Sequence, residues 1–145
     1  MVRLVLDTCV LVAAIRSPNG ASGSLVEAVM KRRLKPLISI PLVLEYEAVM
    51  TRSEHLQASG LTSRQVVKIV KAFCTIGEPI HIAHRLRPQL QDPEDEFVLE
   101  AAFHGKANAI VTFNRRDFEI PSRRFGIRVI SPPIALERIS EDENQ

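Results

Sequence analysis

The chain has 145 residues, 46% of them apolar and 25% charged, a length and balance that suit one globular domain with a sizeable core. Its formal charge of +2 is too small to argue for a partner, and no apolar run approaches the ~20 residues that a membrane span needs. Two cysteines, Cys9 and Cys74, make no disulfide framework, so reduced thiols and a cytoplasmic location are expected.

Val2 to Leu6 is short, β-branched and apolar, as in a strand buried on both faces of a parallel sheet. Thr8 to Arg16 is longer, contains alanine and reads as a helix. Asp7 therefore stands where strand hands over to helix, outside the strand's carboxyl end, where open α/β sheets build ligand sites. A helix N-cap would also explain an Asp there. Ser17-Pro18-Asn19-Gly20 is a turn, and a second helix opens at Ser22 or Ser24 and runs through Lys31-Arg32-Arg33. Pro36 to Ser39 reads as a second strand, and Pro41 suits the first turn of a helix from Leu42 to about Thr51.

Gly60 to Ser63 punctuates before an amphipathic helix from Arg64 to about Ile76. Pro79 to Ile82 is expected as a third strand and Arg85 to Asp92 as a loop. A helix follows from Pro93 or Glu94 to about Gly105. Asn108 to Thr112 reads as a fourth strand, Phe113 to Asp117 as a polar loop, and Val129-Ile130 as a fifth strand. Pro132 to Ile139 closes the domain as a short helix. Residues 1–139 are read as one domain, and residues 140–145 as a disordered acidic tail. Strands alternating with helices predict an α/β fold with a parallel sheet covered on both faces.

The charge pattern is more informative than its sum. Of the 19 basic residues 14 are Arg, with dense spots at Lys31-Arg32-Arg33 and Arg115-Arg116, and arginine suits bidentate phosphate contact. Arg32, Arg33, Arg115 and Arg116 are thus the candidate nucleic-acid contacts, although a solvated face looks similar. Acids recur at expected strand and helix ends. Asp7 is the first. Glu45 lies beside the inward face set by Leu42, Tyr46 and Val49. Asp95, within Asp92-Pro93-Glu94-Asp95-Glu96, precedes Leu99 by four and Ala102 by seven, in line with the buried stripe. Thr112, Asn114 and Asp117 follow the fourth strand. Each has an ordinary reading as a cap, a surface acid or a turn residue.

Together they pose an electrostatic problem. Two unit charges ~4 Å apart repel by roughly 4 kcal/mol at an effective dielectric of 20, so gathered carboxylates must take up protons or a cation. Ligands made only of oxygen suit Mg2+ or Mn2+, and the four histidines lack zinc-like pairing. Such a centre beside arginines can activate water against a phosphodiester.

These residues resemble the PIN-domain ribonucleases, and within them the VapC-like toxins of toxin–antitoxin pairs. Asp7-Thr8 after an apolar strand is similar to the family's first motif, and Leu44-Glu45-Tyr46 to its second. Asp92 to Leu99 with Ala101-Ala102 resembles the third, and Val111 to Phe118 the fourth. The resemblance implies a three-layer α/β/α sandwich around a parallel sheet and an Mg2+- or Mn2+-dependent endoribonuclease. It also implies a homodimer or higher homo-oligomer, and an antitoxin protein as inhibitor. Carried over by position, Asp7, Glu45, Asp95 and Asp117 form the acidic metal-binding quartet, with Thr8, Asp92, Thr112 and Asn114 in support. Cys9 stands where the family often has Asn, and relatives of this subgroup often place Asp where Asn114 stands. The rival reading is a catalytically inactive PIN-like module that binds RNA or protein.

Overall fold

The computed structural model describes residues 1–82 and 93–145. Its elements in chain order are β1 (Arg3–Leu6), α1 (Thr8–Arg16), α2 (Ala21–Met30), β2 (Lys35–Ile38), α3 (Ile40–Met50), α4 (Ser53–Ser59) and α5 (Ser63–Ile76). They continue with β3 (Glu78–Pro79), α6 (Pro93–His104), β4 (Ala109–Val111), α7 (Arg115–Phe125), β5 (Arg128–Ile130) and α8 (Pro132–Glu143). The five strands form one sheet in the order β3-β2-β1-β4-β5, parallel at every pairing. Helices cover both faces, giving the α/β/α sandwich that the alternating pattern predicts. None among the described residues is long and apolar enough to cross a membrane.

The central strands are buried on both sides, which is why they read as plain apolar runs. Leu4, Val5 and Leu6 of β1 and Ile110 and Val111 of β4 are fully buried. The chain builds outward from β1 to β2 and β3, then returns to place β4 and β5 on the other side. The carboxyl ends of β1 and β4 therefore form the topological switch point, where a crevice opens between diverging connections. Asp7 follows β1 and Thr112 follows β4.

Local chemistry sets the helix ends. Ser39 caps α3 by accepting the Leu42 amide at 3.3 Å, and Pro41 occupies its first turn. Thr62 and Gln65 make a reciprocal capping box at α5. Gly60 and Gly126 end α4 and α7 in the left-handed region at φ 74° and 70°, a conformation glycine adopts at no steric cost.

Five elements differ from the sequence expectations. The segment from Arg115 is a helix, not a loop, because Phe118, Pro121 and Ser122 form a buried stripe that anchors it despite an interior proline. A short helix, α4, fills the interval after Thr51. The helix α2 stops at Met30, and the chain reverses through Arg32 at φ 60° rather than continuing through Arg33. The final helix runs on to Glu143: the Arg33 guanidinium grips the Glu143 carboxylate at 2.8 and 3.0 Å, and the N-terminal ammonium lies 3.6 Å from Asp142. The third strand is shorter and earlier than expected, at Glu78–Pro79, where Glu78 takes a bidentate pair from Arg3 at 2.7 Å. The expected loop Arg85 to Asp92 lies outside the described residues.

Candidate functional site

Asp7 is the N-cap residue of α1, with extended backbone, yet its side chain makes no capping hydrogen bond. Its amide donates to the Val111 carbonyl at 2.9 Å, extending the β1–β4 ladder by one residue. The carboxylate turns instead toward β4. Oδ2 accepts from the Thr112 hydroxyl at 2.6 Å and from the Cys9 thiol at 3.3 Å. The Asn114 amide in turn donates to Thr112 Oγ1 at 2.9 Å, which fixes the hydroxyl's proton on Asp7. The plain capping reading of Asp7 is thereby displaced.

Asp7 is only 5% exposed. Burial pushes its pKa up, opposed by the Thr112 and Cys9 hydrogen bonds, and the charge of Asp117 adds to the rise. Burial and the Asp7 charge push the Cys9 thiol to about 12, so Cys9 acts as a neutral donor. Cys9 thus supports Asp7 directly from the position where the resemblance expects Asn.

Glu45 is positioned by its neighbour. Tyr46 is fully buried, and its hydroxyl donates to the Leu6 carbonyl at the end of β1. That bond ties α3 to the strand one residue before Asp7, leaving Glu45 at the edge of the packed face. Tyr46→Phe strands a buried carbonyl and is expected to lower stability by about 1–3 kcal/mol, read from the denaturant midpoint. An unchanged midpoint would mean that the phenol only fills space.

A cavity of about 530 Å3 opens at the switch point. Asp7, Thr8, Cys9, Glu45, Asp95 and Asn114 line it, so α1, α3, α6 and the turn after β4 each contribute. Asp117 is exposed on the first turn of α7 and acts on Asp7 through its charge. Asp92 lies outside the described residues. Among the described residues no group of three acids, histidines or cysteines stands at metal-ligating separation.

The arginine expectations divide. Arg32 and Arg33 precede β2, which puts them at the sheet rim opposite to the cavity, and Arg33 is engaged by Glu143. They do not line this cavity, because in a parallel sheet residues before a strand and residues after it face opposite ends. Arg115 and Arg116 begin α7 beside Asn114 and line a separate groove with Arg123 and Arg128. Sequence reasoning missed Arg16 and His55, which line the acid cavity. A signal for Arg16 existed: Cys9, Val12, Ala13 and Arg16 are spaced i, i+3, i+4, i+7, one face of one helix. His55, on the unexpected α4, had none.

A family model described as PIN domain matches residues 3–116, most of the chain and every residue that lines this cavity. No curated protein matches the chain.

Proposed function

The chain belongs to the PIN-domain family, and on that premise we propose that it is a Mg2+- or Mn2+-dependent endoribonuclease, the VapC-like toxin of a toxin–antitoxin pair. PIN domains are generally nucleases and usually use divalent metal ions. One observation carries the finer reading: a buried carboxylate at the switch point, its proton affinity raised, shares a cavity with Glu45 and Asp95.

The donor set fits a hard cation. It is all oxygen, and Asp7 keeps its second carboxylate oxygen clear of the Thr112 and Cys9 bonds, both of which fall on Oδ2. Mg2+ keeps several waters and needs only one or two carboxylates in direct contact, so acids that share a cavity without closing on one point can still serve it. Asp7, Glu45 and Asp95 would hold the ion, and Asp117 would orient water or help hold a second. A bound ion would polarise the phosphodiester and acidify the attacking water. The chain's own part is to keep Asp7 ionised and aimed, through Thr112 and Cys9, and to keep α3 docked through Tyr46.

RNA as substrate, an antitoxin partner and self-association complete the proposal. The four motifs in order support the toxin role, and α3 offers a surface for association: Ile40 and Leu44, one turn apart, are 79% and 61% exposed. Mn2+ titration by calorimetry, with cleavage of matched RNA and DNA strands, tests the reading. Heat of binding with RNA-selective cleavage is expected. Absence of both would leave an inactive module that binds through its arginines.

A further inference from the structure

At one end of α1 the acid cavity has a carboxylate, Asp7, and at the other a cation, Arg16. Along α1 its lining runs Cys9, Val12, Ala13, Arg16, and nine residues at 1.5 Å place the Arg16 backbone about 13 Å from that of Asp7. Val12, Ala13 and Val49 make the stretch between them apolar. Arg16 is the only Lys or Arg among the described residues that line this cavity.

Its partner differs in kind from those of three other arginines. Arg3, Arg33 and Arg123 are paired with Glu78, Glu143 and Glu119. Arg16 instead meets an imidazole, with Nη1 3.4 Å from His55 Nδ1. A guanidinium stays protonated, so it donates and Nδ1 accepts, which leaves the His55 proton on Nε2. The contact orients the fork without neutralising it. The last turn of α1 also favours a cation there.

Resting on the nuclease reading, we infer that Arg16, held by His55, binds the phosphate adjacent to the one hydrolysed, so that the cavity engages two consecutive phosphates of single-stranded RNA. The separation from Asp7 puts Arg16 beyond the scissile group, and the apolar floor accommodates the nucleoside between the two phosphates. Arg16 is a binding residue, and His55 is a positioning residue that acts through it.

Binding of a single-stranded RNA oligonucleotide is measured in Ca2+, a hard cation used in place of Mn2+, across a salt series. Cleavage of the same oligonucleotide and of a dinucleotide with one phosphodiester is measured in Mn2+. In Arg16→Gln the slope of log affinity against log salt is expected to become shallower by about 0.7, the single-strand value for one phosphate. Its preference in kcat/KM for oligonucleotide over dinucleotide should fall about tenfold, mostly through KM, and Arg16→Lys should restore the slope but not the full preference. An unchanged slope, or equal losses on both substrates, overturns the inference. If the wild type cuts nothing in Mn2+ while the slope still shifts, hydrolysis is refuted and the phosphate contact stands.

Discussion

Asp7→Asn is expected to cost at least about a hundredfold in Mn2+-dependent RNA cleavage, the scale at which a single charge-stabilising group acts in a preorganised site. The same variant should be more stable than wild type without metal, by about 0.5–2 kcal/mol, because it removes a buried charge while Asn can still accept from Thr112. The pH dependence has a definite sign. Burial raises the folded pKa of Asp7, so the folded chain keeps a proton that the unfolded chain has already lost. This contribution to stability is full below the ordinary carboxylate pKa and is lost as pH rises through the raised value. Asp7→Asn should flatten that part of the curve, and saturating Mn2+ should reverse the penalty in wild type. Thermal unfolding with and without Mn2+ checks each point. A variant that cleaves normally would dismiss Asp7, and one less stable in both conditions would make its role structural.

How much of this was legible in the sequence depends on whether the determinant is local. Asp7 could be placed because a strand-to-helix junction shows in five apolar residues and the change of period after them. Glu45 and Asp95 could be placed because helical spacing from Leu42, Tyr46, Leu99 and Ala102 tells which face each occupies. Arg32 and Arg33 could not, since their rim depends on the parallel topology, and a dense cluster of arginines looks the same at either end of a sheet. The helix α7 was hidden by charge and by Pro121, and only packing of Phe118 against the core shows that it exists. The Arg16–His55 contact joins residues 39 positions apart, through a helix of seven residues with no apolar period to announce it. The chain's ion pairs show the same limit: Arg33 with Glu143 spans 110 positions, and it turns an expected tail into the end of α8.

Thr112→Val separates support of the carboxylate from the carboxylate itself. Thr112 is fully buried at the carboxyl end of β4, and its hydroxyl both donates to Asp7 and accepts from the Asn114 amide. Valine fills nearly the same space but does neither, so Asp7 Oδ2 is left with the weaker thiol of Cys9 and the turn carrying Asn114 loses its anchor. Metal-free stability should fall by about 1–3 kcal/mol, opposite in direction to Asp7→Asn, because a polar group is stranded rather than a charge removed. Metal affinity should fall about 10–100-fold, the usual cost of losing a group that orients a ligand. In an Asp7→Asn background the same Thr112→Val change should cost about 1 kcal/mol less, since a neutral amide accepts a weaker hydrogen bond than a carboxylate. Unfolding of the four proteins in this cycle and calorimetric Mn2+ titration of wild type and Thr112→Val measure both effects. Wild-type affinity in Thr112→Val would show that the hydroxyl serves the turn alone, and that burial on α1 is enough to aim Asp7.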